Sequence, residues 1–356
     1  MKPLDFFFDT YDRIGQLFSR KPGSQSAHSS WWSRMIPALI LLLIVFQFVL
    51  MFLWDSEPDA FEPQAQAASL ASQRGETRAT GYTTIATLIK VSETLLDKRG
   101  GYLSNDVMPP GLLMDNIPNW EFGALSQIRD MTLSLRNDLT RSQSQSTEDK
   151  DIVQAENQFR IDSESWMLPP SESEYRKAID ALYSYLSRLS DDNAQDAQFY
   201  ARADNLSEWL GLVAKRLGSL SQRLSASVGQ ARLNTDLAGD AQAQQSTQAA
   251  QEVGVKTPWL EIDDVFYEAR GSAWALMHLL KAVDHDFREI LQNKNARVSV
   301  QQVIRELQAT QETIWSPLVL NGGGFGMFAN HSLVMANYLS RANTAVIDLQ
   351  QLLKQG

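Results

Sequence analysis

The longest apolar run of the sequence lies near its beginning, where Met35 to Trp54 contains no charged residue. A helix rises 1.5 Å per residue, so a run of this length spans about 30 Å, the thickness of the hydrocarbon core of a bilayer. Trp31 and Trp32 precede the run and Trp54 ends it, as aromatic residues do at membrane interfaces. This pattern predicts one transmembrane helix.

Charged residues flank this run unequally. The flanking charges are Arg20, Lys21 and Arg34 before the run and Asp55, Glu57, Asp59 and Glu62 after it. Because basic residues stay on the cytoplasmic side, we expect the N-terminus in the cytoplasm and the rest of the chain outside it. A cleaved signal peptide is the alternative, although its apolar region is usually about 7–15 residues long and follows a short basic start.

Apolar residues recur at helical spacing both before and after the span. Before it, Leu4, Phe7, Phe8, Tyr11, Ile14 and Phe18 predict an amphipathic helix, either lying on the inner membrane face or docking a partner. After it, the steps alternate between four and three from Phe199 to Leu224 and from Met335 to Leu353, which is typical of coiled-coil-like seams. No strand-like alternation of useful length appears.

These patterns predict an all-α protein in which the transmembrane helix precedes an antiparallel helical bundle with coiled-coil-like seams. The predicted segments are a cytoplasmic leader (1–34), the transmembrane helix (35–54), a tether (55–75), a helical subdomain (76–235), a low-complexity linker (236–257) and a C-terminal helical subdomain (258–356). Composition leaves open whether 236–257 is a linker or an exposed helix rich in Ala and Gln.

Composition excludes several classes of function. The formal net charge of −10 leaves no overall basic field for binding nucleic acid. Cysteine is absent from the sequence, which excludes disulfides, thiolate zinc sites and a cysteine nucleophile. No motif for a cofactor appears, so we expect none.

The sequence predicts no catalytic residue outright, and Glu121 is the one candidate for a catalytic acid. It follows Trp120 in an irregular, Pro- and Gly-rich segment from Gly100 to Leu125, and an apolar setting would raise the pKa of its carboxyl, as in a glycosidase. The alternative is that Asn119 caps a helix and that Glu121 lies in its first turn.

A second irregular segment contains a glycine-rich loop, which together with Trp120 is a candidate binding site. The loop residues are Asn321, Gly322, Gly323, Gly324, Phe325 and Gly326. Their amides could form an anion-binding nest before a helix that Asn330 or Ser332 caps. The alternative is an interhelical turn with Phe325, Met327 and Phe328 packed inward.

His278 and His285 are candidates for metal ligands or a general base, because they lie seven residues apart on one predicted helical face. No recognised metal-binding spacing accompanies them, which favours structural histidines. The charged residues nearby are expected to form a solvated helical face: Asp263, Asp264, Glu268 and Arg270.

The chain resembles an uncharacterised family of proteobacterial inner-membrane proteins, catalogued as a domain of unknown function. The resemblance rests on the single span, on Gly101 to Gly123 with Pro109-Pro110-Gly111 and Asn119-Trp120-Glu121, and on the loop from Gly322 to Gly326. It implies a location in a Gram-negative envelope. It supplies no activity, substrate or catalytic residue.

The leading functional hypothesis is a non-enzymatic envelope protein whose bundle binds a protein, lipid or cell-wall partner, or a second copy of itself. Besides the bilayer, we therefore expect an envelope partner and no nucleic acid. One alternative is a hydrolase acting on peptidoglycan or a lipid-linked glycan, with Glu121 as its acid. The other is a sensor that binds a small molecule between helices.

Overall fold

A computed structural model describes residues 31–141, 147–191, 196–233, 252–316, 318–323 and 327–355. The predicted leader helix from Leu4 to Phe18 lies outside this part of the chain. The chain divides between Val49 and Leu50 into two units.

The described residues are mostly helical, which confirms the predicted all-α class. The helices are α1 (Trp32–Trp54), α2 (Pro63–Arg74), α3 (Tyr82–Asp97), α4 (Asn116–Ser134), α5 (Lys150–Phe159), α6 (Ser171–Leu189), α7 (Ala203–Ser225), α8 (Ile262–Asp286), α9 (Arg288–Asn293), α10 (Arg297–Ala309) and α11 (His331–Lys354). A π-helical turn, Leu135–Leu139, extends α4. Short 3-10 turns are Gly111–Leu113, Ala226–Val228 and Trp259–Glu261.

The apolar part of α1 runs from Met35 to Trp54 and is long and apolar enough to cross a membrane. No residue of its most apolar stretch is buried within the protein. A core helix of a soluble protein would be covered by its neighbours, so this exposure distinguishes α1 from such a helix.

The two predicted seams pack against each other as an antiparallel pair, α7 and α11. Gln350 Nε2 donates to the Ser207 carbonyl over 2.7 Å, and Ser221 Oγ donates to the Ala336 carbonyl over 3.1 Å. Residue numbers rise along one helix as they fall along the other, which defines the antiparallel direction. The buried seam residues are Leu206, Leu210, Val213, Leu217, Leu220, Leu224, Met335, Leu339, Ala342, Val346, Leu349 and Leu353.

Helices α4 and α8 form a second close pair, and this pair runs parallel. Asn119 contacts Asp264 and Gln127 contacts Ser272, so the offset along the two helices is the same, 145 residues. The backbones touch at two glycines. A Cβ on Gly123 would lie 2.0 Å from the Glu268 carbonyl oxygen, and one on Gly271 would lie 1.9 Å from the Trp120 carbonyl oxygen.

Part of the segment predicted as a tether packs against the domain. Glu57 forms an ion pair with Arg270 of α8, and the Phe61 amide donates to His278 Nε2 over 3.0 Å. Residues 63–74 then form α2, which buries Ala67 and Ala71 in the core. Leu70 of α2 also packs against the core, and the alanines permit close approach between helices.

A short antiparallel hairpin that the sequence patterns did not predict joins Gln230–Leu233 (β1) to Glu252–Val255 (β2). Four residues per strand are too few for a recognisable alternation. Most of the predicted linker, 236–251, lies outside the described residues, so the boundary between two subdomains stays a prediction. Helices from before and after it, α4 with α8 and α7 with α11, contribute to one hydrophobic core.

We call the two ends of the domain the anchor end and the distal end, and define each by the residues that lie there. At the anchor end, the Trp54 ring lies against Gly100, so that a Cβ there would approach Trp54 Cγ to 2.8 Å. Helices α4 and α8 begin at this end and α3 finishes here. At the distal end, α3 begins and α8 finishes, because the Thr84 amide donates to Asp286 over 2.7 Å.

We expect Gly271→Ala to destabilise the domain, because its methyl group would force α4 and α8 apart. Overpacking of this kind lowers the free energy of unfolding by about 1–3 kcal/mol, measured by chemical denaturation. The matched control is Gly218→Ala in α7, where a Cβ would lie 3.4 Å from Asn343 Nδ2. It should be neutral or stabilising by up to ~1 kcal/mol, since alanine favours helix. Equal effects of the two variants would contradict the close contact.

Candidate functional site

Glu121 is fully buried at the anchor end, where its carboxylate forms an ion pair and several hydrogen bonds. Its carboxylate forms an ion pair with Lys98, whose side chain is also buried. The amides of Leu103 and Ser104 donate to it over 2.9 Å and 2.8 Å, and the Ser104 hydroxyl donates as well. The carboxylate thereby holds the irregular chain after α3 against α4.

The electrostatics of Glu121 combine opposing effects. Burial raises the pKa of its carboxyl, while Lys98 and the hydrogen bonds from Ser104 and Leu103 oppose that rise. Glu121 does not line any of the four most prominent clefts of the described domain. The carboxyl is fully buried and its oxygens are bound by a lysine and two backbone amides, which is the arrangement of a structural ion pair.

The prediction that Asn119 caps a helix is wrong. Helix α4 begins three residues earlier, at Asn116, and its N-cap is Asp115, whose side chain accepts from the Asn116 amide. Glu121 therefore lies in the second turn, on the buried face next to Trp120. The Trp120 ring packs against Trp274 of α8 with centroids 5.2 Å apart, so Trp120 belongs to the core and has no exposed surface.

The structure does not bring His278 and His285 to one site. His278 is buried in α8, where Nδ1 lies 2.7 Å from the Trp274 carbonyl oxygen and Nε2 accepts from the Phe61 amide. Burial lowers the pKa of its imidazole to about 4, which keeps the ring neutral. His285 instead contacts Thr83 and Asp286 at the distal end. Among the described residues, no cluster of three potential ligands could hold a metal ion.

The described part of the glycine-rich loop folds back on itself. The Gly322 amide donates to the Ala329 carbonyl over 3.2 Å, and Asn330 Nδ2 donates to the Gly322 carbonyl over 2.6 Å. Asn330 caps α11 by accepting from the Leu333 amide, as predicted. Gly324, Phe325 and Gly326 lie outside the described residues.

Two expectations about side-chain exposure are wrong. Met327 and Phe328 of the glycine-rich loop point to solvent rather than inward. Glu268 and Arg270 were expected on a solvated face of α8, yet each is only 6% exposed. Arg270 is covered because it binds Glu57 and donates to the Thr310 carbonyl over 2.9 Å, and these partners are distant in sequence.

The distal end carries a cleft of about 610 Å³ that the sequence patterns did not reveal. We call it the arginine cleft, because Arg78, Arg202 and Arg288 line it from three separate segments. All three are exposed, and none forms an ion pair with another described residue. The Arg202 guanidinium lies 5.1 Å from the centroid of the Tyr200 ring, which also lines the cleft.

The two carboxylates that line the arginine cleft, Asp286 and Glu289, form no ion pair with its arginines. Asp286 accepts hydrogen bonds from the Thr84 amide and hydroxyl over 2.7 and 2.8 Å, so it caps the first turn of α3 from another helix. Its second oxygen lies 3.0 Å from His285 Nδ1. Glu289 is exposed at the cleft. Three arginines thus face two carboxylates, one already satisfied, in a protein of net charge −10.

Sequence reasoning missed the arginine cleft because nothing in the spacing of its residues connects them. Arg78 lies in the turn before α3, Arg202 immediately precedes α7, and Arg288 begins α9. Isolated arginines between helices are common on protein surfaces, and only the fold brings these three together.

Comparison with protein families gives one match, to the family described as "Uncharacterized protein conserved in bacteria (DUF2333)", over residues 25–356. The chain belongs to this family. The match includes α1 and the whole helical domain, and it confirms the resemblance drawn from the sequence. No curated protein and no solved structure matched the chain. The family description assigns no activity.

We expect Glu121→Gln to destabilise this member of the family strongly, because it leaves the buried Lys98 without a counter-charge. Loss of one partner of a buried pair costs about 3–5 kcal/mol, measured as the free energy of unfolding. The control is Asp97→Asn, which breaks the exposed pair between Asp97 and Arg176. It should change stability by less than about 1 kcal/mol. Wild-type stability of Glu121→Gln would argue against the structural ion pair.

Proposed function

We propose that this protein is a membrane-anchored envelope protein that binds an anionic partner in the arginine cleft. Its N-terminus lies in the cytoplasm, α1 crosses the inner membrane, and the helical domain projects into the periplasm. The observation that carries the proposal is the convergence of Arg78, Arg202 and Arg288 on one cleft, where none of them has a carboxylate partner among the described residues.

The proposed placement is supported by α1 and by the charges beside it. An exposed apolar helix of this length favours a bilayer, and acidic residues follow it. Arg20, Lys21 and Arg34 precede the apolar run and favour a cytoplasmic N-terminus. A match to a bacterial family is compatible with an inner membrane.

A binding role is favoured over a catalytic one, because the candidate acid and base are bound within the core while the arginines of the cleft are exposed. Glu121 and His278, the acid–base candidates, form hydrogen bonds within the core. The arginine cleft offers instead several planar donors with fixed charge. Guanidinium groups bind carboxylates and phosphates through paired hydrogen bonds, so the expected partner presents one of these groups.

The aromatic residues of the arginine cleft add a second means of recognition. Phe199 and Phe287 line it and pack edge to face, with ring centroids 5.8 Å apart. Phe287 is buried beneath the cleft, so the apolar surface next to the charged donors comes from Phe199 and Tyr200, which are half-buried. A partner with an anionic group on an apolar or sugar-like body fits this combination better than a free inorganic ion.

We expect removal of the cleft arginines to weaken anion binding. Pyrophosphate serves as the probe, titrated calorimetrically into the full chain in detergent. A hydrogen bond to a charged group contributes about 1.5–3 kcal/mol, so Arg202→Ser or Arg288→Ser should each lower the affinity about tenfold or more. Because both residues are exposed, stability should change by less than ~0.5 kcal/mol.

The matched control for these variants is Arg305→Ser in α10. Arg305 is exposed, has no ion-pair partner among the described residues and lies outside the cleft, so its loss changes the net charge equally. Equal losses of affinity in Arg305→Ser and Arg202→Ser would contradict a specific site.

In cells, a photo-crosslinking residue in place of Thr80 at the cleft should capture a partner that the same residue in place of Gln301 does not.

We expect a reporter enzyme that is active only outside the cytoplasm to be active when fused after Lys354. Deletion of residues 35–54 should abolish its activity, because the apolar run directs translocation. An N-terminal tag that remains on the membrane-bound protein distinguishes an anchor from a cleaved signal peptide. Reporter activity only when fused before Met35 would contradict the proposed orientation.

A further inference from the structure

Four loops meet at the anchor end of the domain: residues 98–115, 160–170, 256–261 and 310–330, of which 317 and 324–326 lie outside the described residues. Direct hydrogen bonds connect the first two, from Tyr102 to the Ser163 carbonyl over 3.0 Å and from Asn105 to the Ser165 carbonyl over 2.9 Å. We call these four segments the anchor-end loops.

The other two anchor-end loops are fixed through α8. The loop 256–261 leads directly into α8, whose Asp264 accepts from Asn119 of α4 over 2.8 Å. The loop 310–330 is held where Arg270 donates to the carbonyls of Thr310 and Glu312. All four loops therefore lie at the end of the domain where residues 54–57 enter it.

Large apolar side chains of these loops are exposed. Six representative residues are 62–98% exposed: Met108, Leu113, Leu168, Trp259, Trp315 and Met327. Among the described residues that follow Trp54, every exposed tryptophan and methionine lies in one of these loops. Such a concentration at one end is unusual for a surface that faces water.

The anchor end lies close to the end of α1 because the connection is short. Trp54 is the last residue of α1, and Glu57 is already bound to Arg270 at the anchor end. Three residues extend the chain by at most ~10 Å. The end of α1 therefore lies within ~10 Å of Glu57, at the same end of the domain as the anchor-end loops.

We infer that the anchor-end loops insert their apolar side chains into the lipid surface that surrounds α1, so that the domain rests on the bilayer. This inference rests on the proposed membrane anchor and adds a second contact with the same membrane. Tryptophan is favoured at the interface between headgroups and acyl chains, and leucine, methionine and phenylalanine gain by burial in it. The occupant of this surface is lipid rather than a second protein copy, because α1 already brings lipid to it.

The experiment uses the absence of cysteine from the sequence, which allows a single introduced thiol to carry a spin label. The loop variants are Leu113→Cys, Leu168→Cys and Met327→Cys. The matched control is Val298→Cys, which is also exposed and apolar but lies at the distal end, next to the ion pair of Arg297 with Asp284. Each full-length variant is placed in phosphatidylcholine nanodiscs that hold one copy.

The measured quantity is the accessibility of the label to oxygen, which concentrates in lipid, relative to a water-soluble nickel complex. We expect this ratio to be several-fold higher at the three loop positions than at Val298→Cys. Leu43→Cys in α1 serves as the reference for a position inside the bilayer.

Each other outcome overturns the inference in a distinct way. Water-like ratios at the loops with a lipid-like ratio at Leu43→Cys would reject the lipid contact and leave the anchor intact. Water-like ratios at both would reject the anchor as well. Labels that become shielded from both reagents only in discs holding two copies would assign the loops to self-association.

Discussion

The close backbone contact between α4 and α8 is the constraint on which the rest of the domain depends. Gly123 and Gly271 lie where any side chain would collide with the carbonyl oxygen of the opposite helix. This contact fixes a parallel pair in register, with Trp120 against Trp274 and Gln127 bound to Ser272. Because α4 and α8 are distant in sequence, their pairing also joins the two halves of the chain into one core.

The same pair positions the polar groups inside the domain. Helix α4 presents Glu121 to Lys98 and to the chain after α3, while α8 presents Arg270 and His278 to the segment that follows α1. Each of these groups would be costly to bury alone, and each is matched by partners that are far away in sequence. The buried polar contacts therefore specify how the entering chain and the irregular loops attach to the helices.

The features that the sequence predicted are those that depend on local periodicity. The apolar run at Met35–Trp54, the helical class and the buried seam residues of α7 and α11 follow from spacing along the chain, whereas the pairing of these two seams with each other does not. The roles of Glu121 and Arg270 do not, because a charged residue on a helix is assigned to solvent unless its distant partner is known. The arginine cleft shows the same limit, since Arg78, Arg202 and Arg288 become neighbours only through the fold.

The two ends of the domain differ in chemistry in a way that suits a tethered protein. Helix α3 runs between them, and its 16 residues separate the ends by about 24 Å. Large apolar side chains are exposed at the anchor end, whereas the distal end presents arginines and aromatic rings around a cleft. On the proposed placement, a domain held to the bilayer at one end presents that cleft at a fixed height above the membrane. A partner would then be recognised at that distance from the lipid, which a flexible tether of the same length could not define.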